Sequence, residues 1–145
     1  MWIFTETGFV SAVRKPYYPE KMVVRARDIQ SLDDLVNLSG ENVITTNDSD
    51  YPQRVVVTDD VFKSWLEGTV EDLNYDNFKN RVALTRGTKF AKLLSGVWST
   101  MLGAEDLDRA AKTVQNMKSP QSWWDEEEEY KAHHGFKHLF HSLKH

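Results

Sequence analysis

Residues 22–28, with the sequence MVVRARD, form the stretch that decides the fold. Short runs rich in valine are typical of β-strands. Because side chains alternate along a strand, Val24 and Ala26 share one face, whereas Arg25 and Arg27 share the other. An apolar face opposite a charged one predicts a strand whose sheet packs against a core on one side only.

The stretch Gly8–Arg14 is also strand-like, and residues 15–20, which contain two prolines, separate it from residues 22–28. Prolines in such a link mark a loop, so we expect the two stretches to pair as a hairpin. Ser31 then starts the sequence SLDD, which is typical of a capping box that opens a helix. This predicted helix ends at Gly40.

The same strand–strand–helix order occurs a second time along the chain. Asn42–Thr46 and Gln53–Thr58 form the second predicted strand pair, and Arg54 lies on the face opposite the valines of its own strand. Thr58 is expected to cap the following helix, whose first turn carries two aspartates where the helix dipole favours anions.

The rest of the chain has helical periodicity. Apolar residues at helical spacing run from Phe90 to Met101 and from Leu107 to Met117, and a last helix is predicted from about Trp123 onward. The sequence therefore predicts an α+β fold: a four-stranded, mostly antiparallel sheet in ββαββα order with helices on one face, followed by a helical C-terminal extension. We expect residues 1–104 to form the α+β body and residues 105–145 the extension.

Composition and charge exclude several classes of protein. The chain has no cysteine, which excludes disulfides, zinc–thiolate sites and thiol catalysis. All five histidines follow residue 132, so the α+β body cannot assemble a histidine-based catalytic triad, and no dinucleotide or phosphate-loop motif is present. The net charge of −4 argues against a general nucleic-acid binder. We therefore expect a protein that is not an enzyme and uses no cofactor.

The sequence also carries expectations about location. Residues 1–6 lack the basic segment that begins a signal peptide. The longest uncharged stretch, Leu93–Ala104, is shorter than the roughly 20 apolar residues of a membrane-spanning helix. We expect a cytoplasmic protein outside the membrane.

Polar residues of the two strand pairs are the candidates for a partner- or ligand-binding surface. Arg25, Arg27 and Arg54 are expected to line the sheet face opposite the core. The candidate set adds two loop residues at the end of this face and three residues beyond the second helix: Asp50, Tyr51, Tyr75, Asn77 and Lys79. One interpretation is a recognition site for a phosphate or an acidic partner. The other is structural, with Arg–Asp pairs that hold a hairpin and Asn77 as a helix cap.

Histidines of the last predicted helix form a separate candidate site. His134, His138, His141 and His145 are spaced four, three and four residues apart, so they share one stripe of a helix. Histidines at i and i+4 chelate transition metals, and we expect at most weak metal binding there. The alternative is a solvated helix face that happens to be rich in histidine.

Several short motifs occur in a fixed order over about residues 1–102: MWIF at 1–4, GFVSAV at 8–13, VRAR at 24–27, DSDY at 48–51, YDNFK at 75–79 and VWSTM at 97–101. These motifs resemble a family of small uncharacterised proteins of actinobacteria and their bacteriophages. Between Val82 and Leu94 the chain departs from the polar, histidine-containing stretch usual in that family. The resemblance implies a phage-associated or mobile-element accessory protein, and it implies no particular reaction.

Three functions are compatible with these observations. The leading hypothesis is a non-enzymatic accessory or regulatory protein that acts by binding a host or phage protein. The second is a small nucleotide- or nucleic-acid-binding module that uses the sheet face lined by Arg25, Arg27 and Arg54. Because the net charge is negative, we expect a protein partner rather than nucleic acid. The third is a structural component of a virion. This hypothesis is the weakest of the three, because compact and well-capped helices do not need neighbouring subunits to bury them.

Overall fold

A computed structural model of the chain describes residues 1–117. These residues contain five strands: β1 (Trp2–Thr5), β2 (Gly8–Val13), β3 (Lys21–Ala26), β4 (Ile44–Thr45) and β5 (Gln53–Thr58). They also contain five α-helices: α1 (Asp33–Ser39), α2 (Asp59–Glu71), α3 (Phe78–Arg86), α4 (Thr88–Met101) and α5 (Gly103–Met117). A short 3-10 helix, Gln30–Leu32, precedes α1.

The five strands form one antiparallel sheet in the order β1-β2-β3-β5-β4. The predicted α+β class and both predicted strand pairs are confirmed, but the predicted number of four strands is wrong. The additional strand is β1, which a two-residue turn joins to β2 so that Thr5 lies opposite Gly8. With only four residues, β1 carries little sequence signal of its own, and its pairing with β2 stabilises it.

Alternation along β2, β3 and β5 leaves Val13, Val23 and Val56 on one face of the sheet and places the other small and branched apolar side chains of these strands on the second face. These side chains are buried together with apolar residues of the 3-10 helix, α1 and α2, and they form the core: Val10, Ala12, Met22, Val24, Ala26, Leu32, Leu35, Val55, Val57, Phe62 and Trp65. The 3-10 helix, α1 and α2 therefore cover this face. The opposite face carries the arginines of β3 and β5.

The 3-10 helix packs unusually close to the start of β2. A Cβ atom built on Gly8 would lie 2.2 Å from the Ser31 Oγ and 2.7 Å from the Ser31 Cα, so only glycine fits at this position. The prediction that Ser31 caps a helix is wrong. Its hydroxyl instead donates to Asp28 Oδ2 at 2.8 Å and accepts from the backbone amide of Phe9 at 3.2 Å. Ser31 thus joins the sheet to the segment that leads into α1.

Helix ends follow the sequence more closely. Gly40 ends α1 in the left-handed conformation, with φ of 69°, which a glycine adopts without steric cost. Thr58 accepts a hydrogen bond from the Val61 amide at the start of α2, as predicted. Asn77 likewise accepts from the Asn80 amide and caps α3. These caps fix where α2 and α3 begin relative to the sheet.

The chain divides into two units, with the boundary between residues 96 and 97. Within the second unit, Leu107 and Val114 of α5 are exposed. In α4 the predicted apolar stripe contributes Leu94 to the buried residues, whereas Leu93 is exposed. The boundary at residue 104 expected from the sequence stays a prediction. None of the helices within residues 1–117 combines the length and the apolar composition that a bilayer crossing requires.

Candidate functional site

Strands β3 and β5 bring two of the predicted site residues side by side. In the antiparallel register, Arg25 lies directly opposite Arg54, and directly opposite residues project from the same face. Both side chains are half-buried on the face away from the core. Arg27 follows one residue beyond the end of β3 and is exposed. The sequence-based expectation that these three arginines share a surface matches this geometry.

Tyr51 contacts all three arginines. It lies just before β5 and is only 8% exposed. The guanidinium carbon of Arg25 lies 4.7 Å from the centroid of its ring, and that of Arg27 lies 5.1 Å away. Contacts at these distances are cation–π interactions, each of which contributes about 0.5–1 kcal/mol or more. We refer to Arg25, Arg27, Arg54 and Tyr51 as the arginine–tyrosine cluster.

Hydrogen bonds hold the loop before β5 in the conformation that places Tyr51 there. The Ser49 hydroxyl donates to the Tyr51 carbonyl at 3.2 Å and accepts from the Tyr51 amide at 3.3 Å. Arg54 donates to the same Ser49 oxygen at 3.2 Å. On the other side of the cluster, Arg25 donates to the buried hydroxyl of Ser11 at 2.8 Å. Among the described residues, neutral oxygens thus orient the guanidinium groups of Arg25 and Arg54.

The cluster differs from the other arginines of the first unit in its lack of anionic partners. Arg14 pairs with Asp59, Arg81 with Glu6, and Arg86 with Asp28. Within residues 1–117, no carboxylate lies within 4.0 Å of the guanidinium nitrogens of Arg25, Arg27 or Arg54. Within the part of the chain that the structure describes, Arg25, Arg27 and Arg54 therefore form none of the Arg–Asp pairs of the structural interpretation. Two of these positive charges lie over the Tyr51 ring, and the third contacts the Tyr51 carbonyl.

Other candidates from the sequence lie outside this cluster. Asp50 is exposed in the loop next to Tyr51. Tyr75 lines a cleft of about 430 Å³ together with residues of α1 and α2, so it lies with the helices that cover the core face. Asn77 serves as the cap of α3, and Lys79 is an exposed residue in the first turn of that helix. The structure thus brings together Arg25, Arg27, Arg54 and Tyr51, and it places Tyr75 and Asn77 elsewhere.

Sequence reasoning missed an aromatic neighbour of the cluster. Trp2 and Phe4 of β1 and Phe9 of β2 form what we call the aromatic row. The Phe4 and Phe9 rings stack with centroids 4.5 Å apart, and Trp2 meets Phe9 edge to face at 5.6 Å. Phe9 in turn lies 6.3 Å from the Tyr51 ring. The alternation of Trp2 and Phe4 is a local signal for this surface, but four residues are too few to identify β1 by themselves.

The histidine stripe predicted as a metal site, with His134, His138, His141 and His145, lies outside the described residues. Among the residues that the structure does describe, no group of three or more histidine or acidic side chains is placed to hold a metal ion. Metal binding by the histidines stays a prediction.

Guanidinium groups that no carboxylate neutralises have a chemistry suited to anions. Arginine forks match the oxygen atoms of carboxylates and phosphates, and no acidic side chain within residues 1–117 neutralises them. The resemblance to actinobacterial and bacteriophage proteins stays a prediction. No protein-family model, no curated protein and no solved structure matches the chain.

Proposed function

We propose that the protein is a non-enzymatic interaction module, which recognises an anionic group of a macromolecular partner through the arginine–tyrosine cluster. The observation that carries this proposal is the gathering of three guanidinium groups around Tyr51 with no carboxylate among residues 1–117 to neutralise them. An accessory or regulatory role in phage-infected cells, exerted in the cytoplasm, belongs to the proposal through the resemblance of the motifs.

The arrangement favours binding because its orientation does not depend on the ligand. Ser11 and Ser49 accept hydrogen bonds from Arg25 and Arg54, and the Tyr51 ring supports Arg25 and Arg27. Side chains that are already ordered lose less conformational entropy when a ligand binds. Like charges held close together raise the local positive potential, which attracts an anion and is relieved when one binds.

A virion component is the weaker alternative. Such a protein typically needs neighbouring subunits to bury its apolar surface, whereas residues 1–96 bury a core of their own between the sheet and the helices that cover it. An enzymatic role has no support in the cluster, because arginine and tyrosine side chains here provide neither a general base near neutral pH nor an activated nucleophile.

The proposal is tested with tripolyphosphate as a simple polyanionic probe. Backbone amide shifts of β3 and β5 are followed by NMR on the full chain, and the double variant Arg25→Gln, Arg54→Gln is compared with wild type. A hydrogen bond to a charged group contributes about 1.5–3 kcal/mol, so we expect the affinity to fall at least about tenfold.

A matched control removes two positive charges outside the cluster. The double variant Arg14→Gln, Lys15→Gln changes the net charge by the same amount, and Arg14 is already paired with Asp59. We expect this control to bind tripolyphosphate within about twofold of wild type, since long-range charge effects are screened within about 10 Å at 0.1 M salt. Equal losses in both double variants would show that net charge, and not the cluster, determines binding.

A further inference from the structure

One line of side chains crosses the whole sheet on the face of the cluster. Trp2 lies opposite Ser11, Ser11 opposite Arg25, and Arg25 opposite Arg54. Neighbouring strands are about 4.8 Å apart, so Trp2 and Arg54 are separated by about 14 Å along this line. That span corresponds to about four nucleotides at the ~3.4 Å rise of one strand of B-DNA, and to fewer in an extended single strand.

The aromatic and the cationic side chains of this face lie on different strands, beside Ser11 and the valines Val13, Val23 and Val56. The aromatic row occupies β1 and β2, whereas the arginines occupy β3, its C-terminal extension and β5. Tyr51 joins the two halves, because its ring lies within 6.3 Å of Phe9 and within 5.1 Å of two guanidinium groups. Trp2 is 66% exposed, so most of its indole is available for a ligand.

We propose that this face binds single-stranded nucleic acid, with unpaired bases stacking on Trp2 and phosphates held by the arginine–tyrosine cluster. The inference rests on the proposed function and names the partner of the same site. Every base has a π-face, so aromatic side chains next to a positively charged surface bind single strands with little sequence preference. An acidic protein segment would use the arginines but would leave the exposed indole without a role.

Single strands fit this face better than a duplex. In a duplex the bases are stacked on one another, so their π-faces are not available to a protein side chain. The net charge of −4 argues against a general nucleic-acid binder, but the local charge distribution governs binding at one face. Outside the cluster, carboxylates neutralise Arg14, Arg81 and Arg86, whereas no carboxylate of residues 1–117 pairs with the arginines of the cluster.

Fluorescence anisotropy at low salt tests the inference on the full chain. The probes are labelled oligo-dT and oligo-U of about 12 nucleotides, within the ~4–16 nucleotides bound by a small single-strand-binding domain, a DNA duplex of the same length, and poly-L-glutamate. We expect both single strands to bind at least about tenfold more tightly than the duplex or the polyglutamate. The tighter of the two single strands identifies DNA or RNA as the preferred form.

Two variants separate stacking from charge. Trp2→Leu keeps an apolar side chain but removes the π-face, and it should weaken single-strand binding about tenfold while leaving polyglutamate and tripolyphosphate binding unchanged. Trp2→Phe, which retains a ring, should recover most of that loss. Arg25→Gln, Arg54→Gln should weaken the binding of every polyanion. Because Trp2 is mostly exposed, its replacement is compatible with folding, and a thermal unfolding curve verifies this.

The outcomes distinguish this inference from the proposed function. If Trp2→Leu binds single strands as well as wild type does, or if duplex or polyglutamate binds as tightly as single strands, the inference is overturned. A loss of polyanion binding in the arginine variant would then still support an interaction module for an anionic protein partner. If wild type binds none of the probes, both the inference and the proposed function fail.

Discussion

We expect the replacement of Arg86 to destabilise the protein more than the replacement of any other arginine within residues 1–117. Its side chain is only 7% exposed and lies between α3 and the sheet. It donates to the Thr7 carbonyl at 2.6 Å, to Ser31 Oγ at 3.3 Å and to Asp28 Oδ1 at 2.9 Å. Its guanidinium carbon also lies 3.9 Å from the Phe90 ring centroid.

The magnitude follows from these contacts. Removal of one partner of a fully buried ion pair costs about 3–5 kcal/mol, but Asp28 is 39% exposed, so water screens part of that loss. Asp28 also keeps the hydrogen bonds from the Ser31 amide and hydroxyl. With the cation–π contact included, we expect Arg86→Ala to lower the free energy of unfolding by about 3 kcal/mol.

Arg86→Lys is the matched variant because it keeps the charge. A single ammonium cannot reach the Thr7 carbonyl and Asp28 in the fork geometry of a guanidinium, so we expect about half of the loss, near 1.5 kcal/mol. Urea unfolding followed by circular dichroism measures both values on the full chain, provided that the slope m is unchanged. A loss below about 1 kcal/mol for Arg86→Ala, or equal losses for both variants, would refute the assignment of Arg86 as the bond between α3 and the sheet.

Two further predictions concern packing and pH. Gly8→Ala should lower the free energy of unfolding by at least about 2 kcal/mol, because the new Cβ would meet the backbone of Ser31. Gly68→Ala has open space around its Cβ and should stabilise α2 by about 0.5–1 kcal/mol. Equal effects of the two variants in urea unfolding would contradict this reasoning. The paired hydrogen bonds from Arg14 lower the pKa of Asp59, so Arg14→Ala should raise that pKa in an NMR pH titration. The pKa of Asp59 is lower in the folded state than in the unfolded state, so the Arg14–Asp59 pair stabilises the fold at pH values above the unfolded-state pKa. This stabilisation disappears as the pH falls through the folded-state pKa. An unchanged Asp59 pKa in Arg14→Ala would contradict the assignment of Arg14 as the cause of the shift.

Local pattern was sufficient to predict the parts of the fold that local interactions determine. The alternation of Val24 and Ala26 with Arg25 and Arg27 assigned both faces of β3, because the side-chain period of a strand is fixed. Thr58 was likewise recognisable as a helix cap, because a cap requires a specific residue type next to the helix that it starts.

Contacts between distant parts of the chain were beyond such reasoning. Ser31 accepts from Phe9 and Arg86, which are 22 and 55 residues away, and no local pattern distinguishes this role from a helix cap. Strand β1 was missed for a related reason, since its stability comes from pairing with β2. Alternation was sufficient to predict that Arg25, Arg27 and Arg54 lie on the same face of the sheet. The separation of this face from Tyr75 depends on the path of the chain after α2, which no local pattern determines.

The salt dependence of oligonucleotide binding tests the central claim most directly, namely that the arginine–tyrosine cluster holds the phosphates of a single strand. The logarithm of the affinity falls with the logarithm of the salt concentration by about 0.7 for each phosphate contact to a single strand. We predict that Arg25→Gln, Arg54→Gln lowers the magnitude of this slope by about 1.4 for oligo-dT, and that Arg14→Gln, Lys15→Gln leaves it unchanged. The same slope in wild type and in the cluster variant, or the same reduction in both double variants, would contradict the account.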